Sequence, residues 1–199
     1  MPTKTFFNLT REKRARIMKA AKKEFSRVPL EKAVIANIAN DAGIPRGSFY
    51  QYFEDVNDLF IYLLEYVYGI NKKKFTKYLE QTDYNLTEAL KIKFANEIDR
   101  LTNEVNKQFK INSFMILFDE ANPQKSKMAP LVIEKQNQID LKFFPAEYHN
   151  KENFSQFAGI CEIIGNYCTQ KFLATKAKEE DIKDMYNNCI DFVKKGYEV

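Results

Sequence analysis

Apolar residues recur along this chain at steps of three and four, and nowhere do they alternate with polar ones over the length of a strand. A helix is predicted from Asn8 or Thr10, either of which can cap a first turn, with Ile17, Ala20, Ala21 and Phe25 on one face. Residues 27–32 form a loop around Pro29, and a second helix spans 34–42 with Ile35, Ile38, Ala39 and Ala42 inward. That helix stops at Gly43, which can take the left-handed conformation, and Pro45 opens a short aromatic helix over 45–53. A fourth helix, 55–80, carries Leu59, Tyr62, Leu63, Tyr66, Val67 and Ile70, with Asp55 and Asp58 at the positive end of its dipole. Further helices are predicted over 87–107, 109–120, 124–144, 152–175 and 179–197. The expected class is all-α, with about nine helices in its 199 residues.

Two short helices joined by a turn of three or four residues, here 34–42 and 45–53, form a helix-turn-helix whose second member can enter a DNA major groove. Charge agrees with that reading. Residues 1–54 hold 11 Lys/Arg against 5 Asp/Glu, net +6, whereas residues 55–199 hold 20 against 22, net −2. A basic head on a nearly neutral body is the footprint of a nucleic-acid-binding module joined to a domain with another task. The expected division is therefore a DNA-binding domain over 1–54 and a second domain over 55–199.

Candidate chemistry concentrates in the second short helix. Gly47 and Ser48 are small enough for a backbone to approach base edges, and Arg46 and Gln51 can hydrogen-bond guanine and adenine. Tyr50 and Tyr52 can flank the groove and offer hydroxyls to phosphates, while Phe49 and Phe53 share the opposite face as anchors. Arg11, Lys13 and Arg14, at the start of the first long helix, are further candidates for phosphate contact. Enzymatic chemistry finds no support. His149 is a lone loop histidine, no nucleophile is paired with a base, and no metal-ligand spacing occurs. Neither metal nor cofactor is expected. Cys161, Cys168 and Cys189 lack any C-x-x-C spacing and read as reduced, buried thiols. With no membrane-length apolar run and no signal-peptide pattern, the expected location is cytoplasmic, away from membranes.

Residues 8–60 resemble the DNA-binding head of the tetracycline-repressor-like (TetR) family of bacterial transcription regulators. The resemblance rests on A-A-K-K-E-F (20–25), I-A-N-D-A-G-I (38–44), G-S-F-Y-Q-Y-F (47–53) and D-L-F (58–60), in order and at the right spacing. It implies that Ser48, Tyr50 and Tyr52 contact the DNA backbone and that Arg46, Gly47 and Gln51 lie at the bases. It also implies a homodimer on a palindromic double-stranded operator, a repressor released by a small-molecule effector, and pairing of subunits through the last two helices. Two positions depart from the family pattern. Val34 stands where Ser or Thr usually caps the second helix and binds a phosphate, and Val56 where a Lys usually contacts one. Losing both anchors would weaken DNA binding by roughly tenfold. The alternative is a ligand- or protein-binding module of the same fold that has lost specific operator binding.

In the body, Phe157, Ile160, Cys161, Ile164, Cys168 and Phe172 recur at helical steps, as do Met185, Cys189 and Phe192, which makes both C-terminal helices amphipathic and candidates for dimerisation. Most of the 17 Phe and 11 Tyr also lie in the body. Phe94, Phe109, Phe114 and Phe118, with Asn112 and Asn166 as polar partners, are candidates to line a cavity for a hydrophobic or aromatic effector.

Overall fold

The computed structural model describes residues 1–118 and 151–197, apart from the side chains of 117–118, 151–155 and 197. Among these residues there are nine α-helices, one 3-10 turn (Leu30–Lys32) and no strand. The helices are α1 (Lys4–Phe7), α2 (Arg11–Arg27), α3 (Ile35–Ala42), α4 (Arg46–Phe49), α5 (Val56–Gln81), α6 (Leu86–Leu101), α7 (Glu104–Phe118), α8 (Lys151–Ala174) and α9 (Glu179–Tyr197). The class is all-α, as the periodicity implies. The helix expected over 124–144 and the loop carrying His149 lie outside the described residues.

Three local features differ from the sequence reading. Helix α1 was not foreseen, because four residues carry no periodicity; Thr3 caps it and Phe6 is fully buried. The break between α6 and α7 falls at Thr102–Asn103 rather than near residue 108. There the Thr102 hydroxyl donates to the Asp99 carbonyl (2.8 Å), and the Asn103 side chain accepts the Asn106 N–H (3.2 Å). Side-chain capping of both helix ends decides the position of the break. Helix α4 is also shorter than expected, since Tyr50–Tyr52 continue it only as a tight turn.

The described residues form two packing units, 1–69 with 103–118 and 70–102 with 151–197. The first is an aromatic core in which Phe6, Phe25, Phe49, Phe53 and Phe60 are each no more than 1% exposed, joined by Ile17, Ile38, Leu59, Leu63 and, from α7, Phe109 and Ile116. Edge-on contacts between Phe25 and Phe60 (4.8 Å) and between Phe60 and Phe109 (6.2 Å) tie α2, α5 and α7 together. Polar contacts reinforce α7 against α2. The buried Asn112 amide donates to the Phe25 carbonyl (2.8 Å) and the Val28 carbonyl (3.2 Å), closing the C-terminal turn of α2, and the Ser26 hydroxyl donates to the Val105 carbonyl (2.9 Å).

The second unit packs α6, α8 and α9 around Phe94, Ile98, Phe157, Cys161, Cys168, Ile182, Tyr186 and Ile190. The Phe94 and Tyr186 rings stack at 4.0 Å beside Gly165 of α8. A turn with two left-handed residues, Asp83 (φ 49°) and Tyr84 (φ 62°), precedes α6, whose N-terminus the Asn85 side chain caps through the Glu88 N–H at 3.2 Å.

Candidate nucleic-acid interface and the second unit

The turn between α3 and α4 forms as its residues dictate. Gly43 is left-handed (φ 66°, ψ 42°), its N–H donates to the Asn40 carbonyl (3.1 Å), and the Ile44 N–H donates to the Ala39 carbonyl (3.0 Å). At the other end of α3, Val34 caps with no side-chain hydrogen bond. Glu24 of α2 lies beside this end of α3. Its carboxylate is 3% exposed and accepts the Val34 N–H (2.9 Å), the Asn37 side-chain amide (3.1 Å) and the Arg27 guanidinium (2.7 Å). Burial opposes ionisation of Glu24, but the hydrogen bonds from Arg27, Val34 and Asn37 outweigh it and hold the carboxyl below its ordinary value. The anion thus sits near the positive end of α3 and satisfies the N–H of the residue that precedes the helix. Lys23 and Asp41 form a further ion pair (2.8 Å) between α2 and α3. Val56 packs against the aromatic core, and Asp55 caps α5 by accepting the Asp58 N–H at 2.7 Å.

The face of α4 presents a mixed set. Arg46, Gly47 and Gln51 are exposed, Ser48 is half-buried, and Tyr50 is 53% exposed, its ring edge-on to Phe49. Neither Arg46 nor Gln51 has a side-chain hydrogen bond or ion pair to a described residue. A Cβ built on Gly47 meets nothing within 4 Å, and its backbone is not left-handed. The fold of the head therefore gives no reason for glycine there. Phe49 and Phe53 anchor the segment in the core, both fully buried.

Tyr52, expected beside Tyr50 at the groove, is only 4% exposed. Its ring lies near Phe6 (6.2 Å), with the Lys13 ammonium 6.0 Å from its centre. The unforeseen α1 is the physical reason. Arg14 is likewise engaged, its guanidinium donating to the carbonyls of Phe7 (2.5 Å) and Leu9 (2.8 Å). Arg11 is exposed and donates no side-chain hydrogen bond among the described residues.

The residues expected around an effector divide between the two units. Phe109 and Asn112 belong to the first, where Phe109 packs in the core and the Asn112 amide holds main-chain carbonyls. Phe114, half-buried in the same unit, lies under the Lys110 ammonium at 4.8 Å. Phe94 and Asn166 belong to the second unit, Phe94 stacked on Tyr186 and Asn166 half-buried on α8. The Phe118 side chain lies outside the described part.

The dimerisation candidates also separate. Phe157, Cys161 and Cys168 are buried in their own unit, with Ile164, Phe172 and Met185 packed partly against them and Cys189 half-buried. Ile160 (46%) and Phe192 (74%) are exposed, and so are Ile163 (69%) and Tyr167 (60%), which the sequence reading did not single out. Ile160, Ile163 and Tyr167 share one face of α8. Burial pushes the Cys161 thiol up to about 12 and the Cys168 thiol up to about 11, which leaves both protonated and weakly nucleophilic near neutrality.

Residues 17–63 match the sequence profile of bacterial regulatory proteins of the tetR family. No curated protein matches the chain by sequence. Among solved structures, a protein assigned to the TetR family of transcriptional regulators from Mesorhizobium loti MAFF303099 superposes with a TM-score of 0.68 at 12% identity, covering 93% of this chain and 97% of that one. A TetR transcriptional regulator from Rhodococcus sp. RHA1 gives 0.61 at 17% identity, covering 92% and 97%. A TetR family transcriptional regulator from Chloroflexus aurantiacus J-10-FL gives 0.52 at 22% identity, covering 98% of each chain. At these identities the structures share the fold, and the head alone carries the sequence signature. Residues 17–63 thus carry the signature of the tetR family of bacterial regulatory proteins, on a fold that the chain shares with regulators of that family.

Proposed function

We propose that the protein is a homodimeric, sequence-specific transcriptional repressor that leaves a palindromic operator when a small molecule binds its body. The observation that carries this reading is the face of α4. Arg46, Gly47, Tyr50 and Gln51 stand exposed on a rigidly anchored segment, and the one glycine that the head's own packing does not require lies among them. A backbone open at that point suits close approach to a groove, with Arg46 and Gln51 as base readers and Tyr50 and Ser48 as phosphate contacts. The buried Tyr52 supports Lys13 and the reading segment from behind. Arg11 and Lys13 add positive charge at the edge of the surface.

Two further features support the remaining parts. The exposed apolar side chains Ile160, Ile163 and Tyr167 of α8 and Phe192 of α9 suit a second copy of the same helices, and pairing would set two heads on successive turns of DNA. DNA contact is assigned to residues 1–54, and effector binding and pairing to 55–199. The aromatic richness of the body favours a hydrophobic or aromatic effector. Helix α5 has residues in both packing units and is the element through which effector binding changes the DNA-competent population. The reading is of a cytoplasmic, non-enzymatic protein.

The test is selection of bound duplexes from a randomised pool at about 0.15 M salt, with a low-salt control. Enrichment of a two-fold-symmetric sequence is expected. Binding confined to low salt, with no enriched motif, would overturn the operator reading and favour a module that acts through its ligand or a protein partner.

A further inference from the structure

We propose that α1 is a clamp on the DNA-reading segment and that Thr3 is the positioning residue for Gln51; this rests on the operator reading above. Helix α4 ends at Phe49, and the turn that continues it to Tyr52 has the main-chain carbonyls of Gln51 and Tyr52 at its end. Carbonyls at a helix end need partners from elsewhere. Thr3 meets both. Its hydroxyl donates to the Gln51 carbonyl at 2.6 Å, and its N–H donates to the Tyr52 carbonyl at 3.0 Å. The same hydroxyl oxygen accepts the Phe6 N–H at 3.4 Å, so one side chain caps α1 and grips the reading segment.

Phe6 locks the clamp in place. It is fully buried, with ring centres 4.9 Å from Phe53, 5.3 Å from Tyr62 and 6.2 Å from Tyr52. Helix α1 and Thr3 lie outside residues 17–63, the stretch that carries the family signature. The consequence of the clamp is geometric. Fixing the carbonyl of residue 51 fixes the direction in which the Gln51 side chain leaves the backbone, and two-point recognition of a base edge depends on that direction. Phosphate contacts tolerate more play, because charge attraction falls off slowly with distance. The clamp therefore governs base discrimination more than total affinity.

The experiment uses the full chain, the duplex selected above, the same duplex changed at the base pair read by Gln51, and a random duplex. Thr3→Val keeps the shape and removes the donor, and Thr3→Ser restores the donor. Discrimination between the first two duplexes is expected to fall about tenfold in Thr3→Val and to return in Thr3→Ser, with random-duplex affinity and salt dependence unchanged. Hydrogen exchange at the amides of residues 51–53 is expected to accelerate in Thr3→Val alone. Unchanged discrimination, or an equal loss on all three duplexes, would overturn the specificity role. Unchanged amide exchange would overturn the clamp itself, whether or not DNA is bound. If the wild-type chain selects no sequence, the operator reading fails, and the exchange result still decides the clamp.

Discussion

The two packing units present chemically different faces to solvent at α4 and at α8. In the first, the large aromatic side chains of the core are buried and the face of α4 presents Arg46, Gly47, Tyr50 and Gln51 outward, around a basic segment. In the second, α8 buries Phe157, Cys161 and Cys168 yet leaves Ile160, Ile163 and Tyr167 in the open, with Phe192 of α9 also exposed. A surface of isolated polar groups suits a hydrated, charged partner. Contiguous apolar side chains suit a partner that excludes water. The contrast fits chemically different partners for the two surfaces, the proposed DNA on one and the proposed second subunit on the other.

The sharpest way to break that contrast is a charge on the apolar face. Ile163→Asp is expected to weaken dimerisation by about 3–4 kcal/mol, since a symmetric interface feels the change twice, and sedimentation should then report monomers. A variant that remains dimeric would remove the face from the interface. Next in size is Glu24→Ala, expected to cost about 2–3 kcal/mol in urea unfolding because it strands the Val34 N–H and the Asn37 amide. Because the folded carboxyl titrates below its ordinary value, its contribution is full above that ordinary value and is lost as pH falls through the folded one. Acid unfolding of Glu24→Gln should therefore show a shallower limb below about pH 4.5 than the wild type.

The smaller effects come from two glycines. Gly43→Ala forces a left-handed alanine and is expected to lower stability by about 1–2 kcal/mol in thermal or urea unfolding. Gly47→Ala meets open space, and a helix prefers alanine by up to about 1 kcal/mol, so unfolding should show unchanged or raised stability. The same variant is expected to bind the selected duplex more weakly. If it binds as well as the wild type, Gly47 does not lie against the groove.

Local chemistry was legible in the sequence wherever one residue type decides it. Gly43 can close α3 without help from elsewhere, and the left-handed turn forms as read. Glu24 could not be read as the partner of the Val34 N–H, because the two are ten residues apart and only the folding back of α3 onto α2 brings them together. Helix α1 was hidden for a similar reason, since Phe6 needs Phe53 and Tyr62 before four residues can hold a helix. That omission carried forward to Tyr52, whose burial depends on α1. In α8 periodicity located apolar positions correctly but could not divide them, because the helix has apolar residues on more than one face. Packing of α6 and α9 is what separates Cys161 from Ile163.

The place of Phe109 and Ile116 in the first core has a bearing on how the chain is made. Phe25 and Phe60 leave the ribosome well before α7, and at about 5–20 residues per second the delay before Phe109 follows is several seconds. Through that interval Phe60 lacks the ring that covers it, and the end of α2 lacks the amide of Asn112. A nascent chain cut short before α7 would present an apolar seam to its neighbours, which makes premature termination in this stretch a hazard for aggregation rather than a source of free heads.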